Sequence, residues 1–179
     1  MENNDTLSWY AMSATFGREL KARSYLESHS VECFVPMKQG IVTNNQKKKE
    51  RRLIPAINNL IFVHSVKSRI QELKRGVDYL QYLTNHVNGK NLPIVVPDKE
   101  MQHFIDVCET HDESLIYLSA NEINLAKGTP VKIVGGLFDG VEGTFIKVSH
   151  HRSKKVVVHI QGIAAVVITD ISDGYLQLL

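Results

Sequence analysis

Apolar and polar positions change their rhythm partway along this chain. Residues 7–14 (LSWYAMSA) form a short aromatic-containing run that predicts a strand. Thr15 is a fair N-cap, and residues 16–29 follow at helical spacing, with Phe16, Leu20, Ala22, Tyr25 and Leu26 as the apolar stripe. Glu19 and Arg23, at i and i+4, are placed to pair on the wet face. Residues 31–37 predict a second strand, with Pro36 near its end. Residues 39–52 are polar and hold the densest charge run, Lys47, Lys48, Lys49, Arg51 and Arg52, so they read as a mobile hairpin tip or loop. The apolar run LIFV at 60–63 suits a central strand covered on both faces. Residues 67–74 fit a short helix that Gly76 stops. Gly89 and Asn91 mark a turn before a strand at 92–96. Asp98 can cap a helix reaching Cys108, with Met101, Phe104, Ile105 and Cys108 on one side. The order β-α-β-(loop)-β-α-β-α predicts a small antiparallel α+β domain.

After about residue 126 no helical period survives. Strand candidates follow at short intervals, 130–134, 143–148, 155–161, 164–168 and 175–178, with glycines at the turns. That spacing predicts a small β-barrel.

Charge sharpens the division. Residues 1–110 carry 15 Lys/Arg against 12 Asp/Glu, and residues 127–179 carry six against four. Residues 111–126 hold three acids (Asp112, Glu113, Glu122) and no base, which reads as an acidic linker between domains at 1–110 and 127–179. The overall net charge of +2 does not by itself announce a nucleic-acid binder. Cys33 and Cys108 fit no framework of several bridges, the first residues are polar and acidic, and no apolar run approaches the roughly 20 residues of a membrane span. The expectation is a cytoplasmic monomer with no membrane partner.

The most specific pattern is GTPVKIVGGLFDGVEGTFIKV, residues 128–148. Val131 and Ile133 share one strand face, Gly136 and Gly140 can take positive φ in a tight loop, Phe138 can fold over the barrel mouth, and Gly143 lets strands pass closely. With Gly128 these positions resemble a KOW motif. The opening WYAMSATFGRELKARSYL resembles the start of a NusG N-terminal (NGN) domain, and IVVPDKEMQHF resembles the entry to that domain's last helix. Together the matches cover nearly the whole chain. The family's aromatic-Pro-Gly-Tyr turn is replaced here by Ile57-Asn58-Asn59-Leu60, a drift more like the specialised RfaH-like and UpxY-like antiterminators than the housekeeping factor. The resemblance implies a ferredoxin-like N-terminal domain and an SH3-like C-terminal barrel.

It also implies an elongation or antitermination factor that bridges the cleft of RNA polymerase, with surface-polysaccharide operons as the UpxY-type target class. Carried over residue by residue, Ile57, Leu60, Phe62 and Leu83 would line an apolar depression for the clamp helices of the largest subunit. Phe62 reads equally well as plain core, while Ile57 and Leu60 are the better surface candidates. Arg18, Lys21 and Tyr25, at i, i+3 and i+7, share a helix face, and Arg75 aligns with a basic position before a glycine. Two cations and a ring make a platform for the non-template DNA strand, or else a solvated helix face. The 47–52 run reaches upstream DNA or solubilises a tip. The barrel's implied partner is the termination factor Rho or a ribosomal protein. The Val- and Ile-rich strands predict a stable barrel rather than one that refolds.

No CxxC, HExxH, P-loop or GxSxG occurs. His103, Cys108 and His111 do not share a helical face, and His150-His151 read as a turn. Neither an enzyme, a metal site nor a cofactor is expected. The alternatives are a KOW-type RNA- or ribosome-binding protein, an accessory domain of a nucleic-acid enzyme, and a general housekeeping factor.

Overall fold

The computed structural model describes residues 6–122, 128–147, 154–160, 162–169, 171 and 173–179. In chain order it forms β1 (Ser8–Ala14), α1 (Glu19–Ser28), β2 (Glu32–Phe34), β3 (Met37–Thr43), β4 (Lys49–Pro55), β5 (Leu60–Ser65) and α2 (Lys67–Lys74). There follow β6 (Leu80–Tyr82), β7 (Thr84–Val87), β8 (Lys90–Pro93), β9 (Val95–Val96) and α3 (Asp98–Cys108). The remainder is β10 (Ile116–Ser119), β11 (Thr129–Ile133), β12 (Glu142–Lys147), β13 (Lys154–Ile160), β14 (Ala164–Thr169) and β15 (Leu176–Leu178). Every strand pairing is antiparallel, so the fold is α+β. The chain divides into two compact units, Met1–Pro36 with Asn58–Met101, and Met37–Ile57 with Gln102–Leu179.

In the first unit the sheet runs β2-β5-β1-β6, with β9 also on β1. β5 is continuous in its apolar character because it is central. Ile61, Phe62 and Val63 are all fully buried. Trp9 stacks on His64 across the β1–β5 register, with ring centroids 4.7 Å apart and planes 9° from parallel. His64 Nδ1 lies 2.6 Å from the Glu32 carboxylate on β2.

Helix α1 is shorter than its periodicity predicts. Phe16 and Gly17 have φ of 62° and 65°, a left-handed path that no α-helix follows, so the helix starts only after Arg18. Thr15 is therefore no cap. The expected Glu19–Arg23 pair is also corrected. Glu19 is 3% exposed and its carboxylate accepts the Asn59 backbone N–H, while Arg23 pairs with Glu27 at 3.8 Å. Of the predicted stripe, Ala22 and Leu26 are buried, Leu20 is exposed and Phe16 stands in solvent. On α3 the buried positions are Met101, Phe104, Val107 and Cys108, Val107 taking the place expected of Ile105.

In the second unit the basic segment is a two-stranded hairpin, registered from Met37↔Pro55 to Thr43↔Lys49. Its tip is fastened by Asn44, whose Oδ1 accepts the N–H groups of Gln46 and Lys48, each at 2.9 Å. The other sheet runs β10-β14-β13-β12-β11-β15. Strand β10 falls inside the stretch expected to be a linker. Ile116↔Val167 through Ser119↔Ala164 pair it to β14, and Val157, Ala165 and Val167 pack with Leu118 and Ile146. The rest of that stretch, 123–126, lies outside the described residues, as do His150, His151 and Val148.

Candidate nucleic-acid interface

The four positions predicted for nucleic acid all belong to the first unit, and three of them converge. Lys21, Tyr25 and Arg75 line an open groove of about 660 Å³ with Gly76, Val77, Asp78 and Tyr79. Helix α1 supplies Lys21 and Tyr25 one turn apart, and Arg75 is the C-cap residue of α2. The two helices meet through Tyr25, whose hydroxyl donates to the Leu73 carbonyl at 3.2 Å. Gly76 makes this approach feasible, because a Cβ there would lie 2.7 Å from the phenol oxygen. The Tyr25 ring also faces His29, centroid to centroid 4.5 Å.

Arg18 joins the groove at its rim. Its guanidinium carbon lies 5.3 Å from the Tyr79 ring centroid and 5.5 Å from that of Phe16, and Lys21 Nζ lies 5.1 Å from Tyr79. These are cation–π distances. Asp78 reaches Arg18 at 3.5 Å, so one acid dilutes the positive rim. Burial first, then the neighbouring Tyr25, raises the Tyr79 phenol above its ordinary value, keeping it neutral beside the cations. Tyr79, Asp78 and Phe16 were missed as site residues. Tyr79 and Asp78 arrive on a loop 50 or more residues beyond α1, and no local pattern in the sequence links them to it.

The apolar depression is not an exposed surface as predicted. Ile57 is 6% exposed, Leu60 4% and Phe62 0%. Leu60 opens β5 opposite Ser13, where its side chain enters the interior, and only Leu83 is partly exposed. The expectation that Ile57 and Leu60 lie at the surface is thus corrected, and Phe62 is core.

The positions of the 128–148 motif meet their conformational demands. Gly136 and Gly140 have φ of 75° and 83°. A Cβ on Gly128 would stand 2.6 Å from the Phe145 carbonyl oxygen, and one on Gly143 2.8 Å from that of Val157, so β12 and its neighbours pack backbone against backbone. Val131 and Ile133 are buried and Phe138 is half-buried.

The described residues hold no cluster of three or more His, Cys, Asp or Glu that could bind a metal. Burial pushes the Cys33 thiol up to about 12 and raises Cys108 as well, so neither is a ready thiolate. No helix among the described residues is long and apolar enough to cross a membrane.

Residues 7–105 match the family described as "Transcription termination factor nusG". No curated protein matches the chain. Among solved structures, one of NusG from Thermotoga maritima, described for its domain interaction, is 18% identical, with 97% of this chain and 98% of that chain covered and a TM-score of 0.49. A structure of an MjSpt4:Spt5 complex is 17% identical, with 96% of each chain covered and a TM-score of 0.30. The family match over 7–105 alone carries the assignment.

Proposed function

This chain belongs to the NusG family of transcription factors, which are not enzymes, and from that premise we propose that it binds RNA polymerase and steadies the non-template strand of the transcription bubble. The observation that carries this reading is the convergence of Lys21, Tyr25 and Arg75 on one open groove, with Arg18 at its rim. Cations there neutralise phosphates, and rings offer surfaces to unpaired bases. We read the first unit as the ferredoxin-like NGN domain and the β10–β15 sheet as the SH3-like KOW barrel. The barrel recruits Rho or a ribosomal protein. Polymerase contact, on this reading, uses Leu83 and the exposed surface around it against the clamp helices, because the other three apolar positions are interior.

The replaced turn at 57–60 favours an RfaH- or UpxY-type antiterminator acting at particular operons. A leader-dependent effect on pausing tests this. In a purified transcription assay the protein should speed pause escape on its target leader more than on a scrambled one. Equal activity on both leaders would return it to general elongation, and polymerase that fails to bind it would overturn the whole reading.

A further inference from the structure

Phe16 is built into the β1–α1 turn at a conformational disadvantage. Its φ of 62° lies in the left-handed region, which bulky side chains seldom adopt, and the residue is 86% exposed. Glycine or asparagine would suit that backbone better and would place no ring in water. The turn is nonetheless held firmly. Ala14 N–H donates to the Asn59 carbonyl at 2.8 Å, Thr15 N–H to the Tyr79 carbonyl at 2.9 Å, and Gly17 N–H to the Asn59 side-chain oxygen at 3.0 Å. Strain that the surroundings over-determine marks a position held for its side chain.

We propose that Phe16 is the stacking surface for one unpaired base of single-stranded DNA whose phosphates follow Lys21 and Arg75. This rests on the groove reading above and names the residue that grips a base. Cations and rings alternate along the rim, from Phe16 to Arg18 to Tyr79 to Lys21. Such a row suits a polyanion that also carries flat apolar groups. An apolar protein segment would have to desolvate Arg18 and Lys21 to reach the same ring. A duplex is unsuitable because its base faces are already covered. Tyr25 is a poorer platform than its position on α1 implies, since its hydroxyl is engaged by Leu73 and its ring faces His29. Asp78 tempers Arg18, which leaves Lys21 and Arg75 as the phosphate contacts.

The test uses the full chain on reconstituted elongation complexes, with 2-aminopurine placed in turn at each displaced non-template position. Wild type should quench the probe at one position. Phe16→Leu keeps apolar bulk and loses the flat ring, and Phe16→Gly also relieves the backbone. Both should abolish that quench and weaken binding roughly 5- to 150-fold, the span expected for one stacked base. Phe16→Gly should at the same time raise the thermal midpoint, which separates a binding loss from misfolding. Unchanged quench and affinity in both variants overturn the assignment. Lost affinity with an unchanged quench also overturns it, in favour of a protein contact. Lys21→Ala distinguishes the levels. If it flattens the salt dependence while the Phe16 variants bind as wild type, only the Phe16 inference fails. If none of the three variants matters, the groove reading fails with it.

Discussion

Leu60 and Glu19 show how single side chains fix the turns around the groove. Leu60 is interior, so Leu60→Ala should cost roughly 2–5 kcal/mol, read from urea unfolding, with no effect peculiar to polymerase. Leu60→Glu should fail to fold, because a carboxylate there would be desolvated without a partner. Glu19 is buried against the Asn59 N–H. Glu19→Ala should cost about 1–3 kcal/mol by leaving that donor unsatisfied, and the turn bearing Phe16 should loosen with it. Hydrogen exchange of Gly17 and Asn59, faster in the variant, is the readout. A variant as stable as wild type would show that water satisfies the donor instead. The helical face of Lys21 and Tyr25 was legible because i, i+3 and i+7 spacing needs no tertiary information. Phe16 was misplaced onto the helix stripe because its apolar spacing with Leu20 continues the period. Nothing in residue type reveals a left-handed φ at a phenylalanine.

Among elements, the C-terminal strands were the most legible. Val156–Val158 and Ala164–Ile168 are interior on both faces, and long runs of β-branched residues announce such strands. The three-residue β6 and the four-residue β10 were invisible for the opposite reason. The acids that made residues 111–126 look like a linker sit at Asp112, Glu113 and Glu122, flanking β10 rather than within it. The hydroxyl and N–H of Ser114 hold the Asp112 carboxyl below its ordinary value. A depressed folded value contributes stability above the ordinary carboxylate range, near pH 4, and that contribution is lost as pH falls through the folded value. Protection factors for amide exchange at Leu115 and Ile116, taken relative to the intrinsic rate at each pH, should therefore fall on acidification, and Asp112→Asn should remove that pH dependence. On the inner strand β12 of the same sheet, Gly143→Ala would drive a methyl into the Val157 carbonyl. A loss of about 1–3 kcal/mol is expected in thermal unfolding, as for other overpacked sites.

At the scale of the whole molecule, the change of rhythm near residue 126 led to an expected division into 1–110, 111–126 and 127–179, and the compact units are composed of other segments. A hairpin at Met37–Pro55 joins the later residues in one compact unit, an association that no local pattern encodes. Strand β10 gives this a practical edge. A fragment beginning at residue 127 would leave the β14 ladder unpaired beside Ala164–Ile168, an apolar edge prone to aggregation. One beginning at residue 111 keeps Ile116–Ser119 in place. The longer fragment should be monomeric in sedimentation and the shorter one should self-associate; equal behaviour would mean that β10 is dispensable. The stacked pair on β1 and β5 carries a different kind of consequence. Trp9 is the chain's sole tryptophan, and it lies flat against His64. Its emission is therefore an optical signal from the first unit alone, and the stacked imidazole is expected to quench it. His64→Ala should brighten the native protein, and unfolding followed by that light reports the melting of one unit while circular dichroism records both.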